Sequence, residues 1–74
     1  MSQAATSFRI GSKLKIDLDR VRDRIPARLL EQIRRDPRGT LLKFKMTDGG
    51  SIGVVLELSD GSISWFFDNE VTRG

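Results

Sequence analysis

The chain has 74 residues, 13 Lys/Arg against 10 Asp/Glu for a net charge of +3, and neither Cys nor His. That length makes a single domain, and the missing residue types exclude disulfides and the ordinary zinc, haem and iron–sulfur sites. No apolar run approaches the roughly 20 residues needed to span a bilayer.

Charge is unevenly placed. Residues 1–45 carry 12 Lys/Arg and 5 Asp/Glu, whereas residues 46–74 carry one Arg and 5 Asp/Glu. Such segregation predicts an electropositive face, the alternative being that folding mixes the two halves into a neutral patchwork. The first seven residues are small and mostly polar, with neither a basic n-region nor an apolar h-region, so they do not read as a secretory signal. The expectation is a flexible N-terminal tail over residues 1–10 and a barrel domain over 11–74. The protein is expected to stay on the side of the membrane where it is made, and its lack of cysteine fits a reducing compartment.

Gly11 and Ser12 break the chain before a first strand, in which Leu14, Ile16 and Leu18 alternate with Lys13, Lys15 and Asp17. Seven arginines then fall within residues 19–38. Ile25, Leu29, Leu30 and Ile33 recur near every fourth position, the stripe of a short helix from Pro26 to Arg35. Asp36 and Pro37 stop it. A three-stranded meander follows. Its first strand places Leu42, Phe44 and Met46 inside and Leu41, Lys43 and Lys45 outside. Asp48, Gly49 and Gly50 make a turn, and Ile52, Val54, Leu56 and Leu58 form the inner face of the next strand. Asp60-Gly61 reads as a two-residue hairpin. On that register Ile63, Trp65 and Phe67 point inward and Phe66 outward. Asp68, Asn69 and Glu70 resemble a single tight helical turn, and Val71 closes the sheet as a short last strand.

This order is that of a mainly β, small SH3-like barrel of about five antiparallel strands, with a short helix in the long connection after the first strand. The expected core is Leu14, Ile16, Leu42, Phe44, Met46, Ile52, Val54, Leu56, Ile63, Trp65, Phe67 and Val71.

Catalytic chemistry has little to stand on. The serines lack an activating base, and Ser12 and Lys13, adjacent on a strand, point to opposite faces. The pairs Asp17/Asp19 and Asp68/Glu70 read as solvated turn charges, and no lysine and helix follow Asp48-Gly49-Gly50 to make a phosphate loop. The chain is therefore read as no enzyme, with no catalytic, metal or cofactor-binding residues and no cofactor. It has no tyrosine, which argues against a groove for proline-rich peptides. What remains is binding. Arg20, Arg22, Arg24, Lys43 and Lys45 are the candidate partner-binding cations, and Phe66, outward on the assumed register, is the candidate hydrophobic anchor, the alternative being its burial under the helix.

The segment from Lys45 to Val54, KMTDGGSIGV, followed by WFFDNE at Trp65–Glu70, resembles the PetP family. These are small SH3-fold subunits that associate peripherally with the cytochrome b6f complex of cyanobacteria and red algae. Asp19–Arg24, DRVRDR, is similar to the arginine-bearing segment after the first strand of that family. The resemblance covers about 50 residues in pieces, and the chain departs from it in a longer polar N-terminus and in the Pro26–Arg38 connection. It implies a non-catalytic accessory subunit that docks on the cytoplasmic (stromal) face of the thylakoid cytochrome b6f complex and modulates photosynthetic electron transport. It implies no cofactor. The expected free form is a monomer, with contact to an anionic membrane surface as a further partner. The alternatives are a basic barrel binding RNA or DNA, from the charge of the first half, and a barrel subunit of another photosynthetic complex such as the NADH-dehydrogenase-like complex.

Overall fold

The computed structural model describes residues 8–74; residues 1–7 of the expected tail lie outside the described residues. Strand β1 spans Lys13–Ile16, helix α1 Leu18–Val21, helix α2 Ala27–Arg35, β2 Arg38–Met46, β3 Ile52–Leu58 and β4 Ile63–Phe67. A 3-10 turn at Asp68–Glu70 leads into β5, Val71–Arg73.

All five strands are antiparallel neighbours in one sheet, in the order β4-β3-β2-β1-β5. The two edge strands, β4 and β5, are consecutive in the chain and joined by three residues. That short link draws the edges together and curls the sheet into the expected SH3-like barrel. Phe8 packs against its core from the N-terminal side.

β1 ends two residues earlier than its alternation suggests, because Asp17 turns from strand residue to helix cap. Its Oδ1 accepts from the Asp19 N–H at 3.1 Å, satisfying one of the unpaired donors at a helix start. The resulting α1 turn, absent from the sequence reading, buries Val21 completely. Pro26 sits just before α2, and the predicted stripe faces inward, with Ile33 fully buried and Ile25, Leu29 and Leu30 packed beside it.

The meander has the expected strands but not all of the expected faces. In β2 the register slips between Leu41 and Lys43. This bulge places Leu41, not Leu42, in the core: Leu41 is fully buried and Leu42 is 37% exposed. Beyond the bulge Phe44 and Met46 do lie opposite Val54 and Ile52. However, β1 pairs with β2 only as far as Thr40, so this outer half of the hairpin lacks cover, and Phe44 and Met46 are exposed.

β4 is inverted relative to expectation, for a simple reason. The β3–β4 loop has three residues, not two: the Leu58 N–H donates to the Ser62 carbonyl at 2.8 Å, and the Gly61 N–H to the Leu58 carbonyl at 2.9 Å. Gly61, at φ +89°, supplies the left-handed residue that this turn requires. Two hydrogen bonds from Ser62, side chain then backbone, hold the Asp60 carboxyl in the loop below the usual aspartate range. One added loop residue shifts the pairing by one, and a one-residue slip turns every side chain over. Phe66 therefore pairs with Val54 inside the barrel and is fully buried. Ile63, Trp65 and Phe67 face outward opposite Glu57, Val55 and Gly53.

Candidate partner-binding face

The inverted β4 builds the most distinctive surface of the molecule, on the outer face of β2, β3 and β4. Lys43 stands opposite Val55, which stands opposite Trp65; Lys45 stands opposite Gly53, which stands opposite Phe67. Lys45 Nζ lies 4.5 Å from the centre of the Trp65 ring, a cation–π contact. Trp65 and Phe67 meet edge to face, with centroids 5.0 Å apart and planes at 82°.

Gly53 makes this arrangement possible. A Cβ there would lie 2.9 Å from Lys45 Cγ and 3.2 Å from Trp65 Cε3, so only glycine lets the two side chains close over the strand.

Arg24 completes the cluster from the turn after α1. Its guanidinium carbon lies 5.1 Å from the Trp65 ring centre and 5.0 Å from that of Phe67. The same group binds Glu70 in a fork, Nε to Oε2 at 2.8 Å and Nη2 to Oε1 at 2.6 Å. Glu70 is only 5% exposed, and its Oε1 also accepts the Phe67 N–H at 2.9 Å. Two charged donors and a backbone amide thus satisfy a carboxylate that would otherwise be costly to bury. The WFF-DNE segment is a structural unit: two outward rings, one inward ring, and an acid that returns to the arginine lying over the rings.

The predicted cations therefore divide. Lys43 and Lys45 are exposed on the aromatic face, around a shallow hollow of about 250 Å³ that also touches Val55, Ile63, Ser64 and Trp65. Arg24 is held by the fold. Arg20 is exposed and pairs with Asp17 at 3.3 Å; Arg22, also exposed, turns to Asp19 at 4.0 Å. With Arg38 near Asp36 at 3.9 Å, several arginines of the basic half meet an acid from their own neighbourhood, so its charge is tempered locally. Phe66, the expected anchor, cannot meet a partner from inside the core; the exposed apolar group on this face is Ile63, 62% exposed, beside half-buried Trp65. Sequence reading missed Ile63, Trp65, Gly53 and Glu70 here. The length of the β3–β4 loop decides the outward place of Ile63 and Trp65 but is not marked by Asp60-Gly61, and the partner of Glu70 lies 46 residues away.

The family model described as "Cytochrome b6f, subunit Tsr0524-like" matches residues 10–72. The chain belongs to this cytochrome b6f subunit family. Its fold is similar to the solution structure of PetP, a subunit of the cyanobacterial cytochrome b6f complex, with a TM-score of 0.75 and 31% identity, covering 100% of this chain and 89% of that one. No curated protein matches the chain. Among the described residues of this cytochrome b6f subunit homologue, no helix is long and apolar enough to cross a membrane.

Proposed function

We propose that the chain is a non-catalytic accessory subunit that docks on the cytoplasmic, or stromal, face of the thylakoid cytochrome b6f complex and modulates photosynthetic electron transport. The observation that carries this reading is the family match over residues 10–72, supported by full-length similarity to PetP at 31% identity. A chain without His or Cys has few groups for nucleophilic, acid–base or redox chemistry, which favours a binding role. Exposed Arg20 and Arg22 steer the subunit toward acidic groups of the complex, since unlike charges raise the rate of encounter before contacts form. Lys43 and Lys45 add positive charge on the aromatic face.

Affinity capture with the full chain from gently solubilised thylakoid membranes tests the assignment. The expected result is recovery of the cytochrome b6f polypeptides, lost progressively as salt is raised. Recovery of the NADH-dehydrogenase-like complex instead would reassign the subunit. Retention of RNA or DNA in a filter-binding titration, with a steep loss on adding salt, would favour the nucleic-acid alternative.

A further inference from the structure

We infer that the outer face of β2–β3–β4 is a contact surface for an anionic lipid bilayer, with Lys43 and Lys45 on the headgroups and Ile63 and Trp65 at the headgroup–acyl boundary. The inference rests on the reading above only in placing the chain beside a membrane; the surface itself is argued from its own composition.

Register puts these four side chains on one side of three paired strands: Lys43, Val55 and Trp65 in one row, with Lys45 and Ile63 in the rows on either side. Ile63 is 62% exposed, and the hollow between them is open and shallow. A protein contact would be expected to centre on a core depleted of charged residues, lysine among them. Here the surface is a sheet face edged by two flexible point charges. Lysine stems can lie along apolar surface while their ammonium groups reach outward, and tryptophan favours the boundary between headgroups and acyl chains. Lysines near an anionic leaflet are attracted without needing a shaped site. The acid on this face is Glu57, opposite Ile63, at the far end from Lys45. Arg24 lies over the Trp65 ring and is already bound to Glu70, so its charge is largely engaged within the fold. Phe44 and Met46, exposed on the same hairpin, belong to its opposite side and so supply an internal control.

Trp65 is the single tryptophan of the chain, so its emission reports on this surface. The test adds vesicles of phosphatidylglycerol and phosphatidylcholine in equal parts to the full chain, with vesicles of phosphatidylcholine alone as comparison. The expected result is co-sedimentation and a blue shift of Trp65 emission with the anionic vesicles, both reversed by salt. The double variant Lys43→Ala/Lys45→Ala should weaken binding about twenty-five-fold, at about fivefold for each lysine. Ile63→Ser should weaken it with both lysines intact, and Met46→Ser should leave it unchanged. Circular dichroism confirms that each variant is folded. Absence of any blue shift at low salt overturns the inference, as does equal binding to both vesicle types. Loss of binding in Met46→Ser but not in Ile63→Ser overturns it in favour of the opposite side of the hairpin. Vesicle binding without capture of the complex would leave this surface standing and remove the docking reading. Capture that depends on Lys43 and Lys45, with no vesicle binding, would do the reverse and assign the face to protein.

Discussion

Arg22 and Arg24 lie two positions apart in one arginine-rich stretch, yet the fold uses them in different ways. Arg22 reaches an exposed aspartate three residues back at 4.0 Å, the kind of surface pair that contributes between nothing and about 1 kcal/mol. Arg24 spans 46 residues of sequence to fork onto a nearly buried glutamate while stacking over two aromatic rings. It ties the helical connection to the end of β4. The comparison teaches that arginine-rich stretches do not act as one electrostatic block. Charge available to a partner is what remains after the barrel has taken its own share.

The sharpest way to break this contrast is at Glu70. Glu70→Ala leaves the Arg24 guanidinium and the Phe67 amide without their acceptor. Breaking a buried pair costs about 3–5 kcal/mol, and because the Arg24 side chain is partly exposed we expect about 2–3 kcal/mol here. In a domain of this size that lowers Tm by roughly 10–20 °C. Glu70→Gln, which keeps an acceptor for Phe67, should lose less. Thermal unfolding followed by circular dichroism measures both, and an unchanged Tm in Glu70→Ala would show that the fork is ornamental.

A smaller effect is expected at Gly53. In Gly53→Ala the new methyl meets the middle of the flexible Lys45 side chain first, so Lys45 moves off Trp65 at a cost of about 1 kcal/mol. The near-ultraviolet circular dichroism of Trp65 should change while the far-ultraviolet spectrum does not. An unaltered Trp65 signal would mean that the lysine does not rest on the ring.

Much of the architecture was legible in the sequence because alternation and turn chemistry are local. The strands of the meander, the Pro26–Arg35 helix and its inward stripe, the inner face of β3, the tight turn at Asp68–Glu70 and the final strand at Val71 all follow from spacing. The face of β4 was not legible, because Asp60-Gly61 suits a two-residue loop as well as the three-residue loop that the chain adopts, and that choice decides which side every β4 residue takes. Leu41 was misplaced for a related reason: a bulge leaves no mark in an apolar pair such as Leu41-Leu42. Glu70 read as a solvated turn charge because its partner is 46 residues away, beyond the reach of any local pattern. The candidate site moved with these errors. Phe66 left it for the core, and Ile63 and Trp65 took the outer position.

The most direct test of the account uses the cations that the barrel leaves at its surface. Arg20→Glu/Arg22→Glu alters two exposed residues whose local pairs are weak, so its Tm should stay within a few degrees of the parent protein. Captured from solubilised thylakoid membranes beside the parent, this variant should recover markedly less cytochrome b6f complex at low salt, the two converging as salt rises. Equal recovery at low salt, with the variant folded, would contradict the claim that these exposed arginines guide the subunit to its complex.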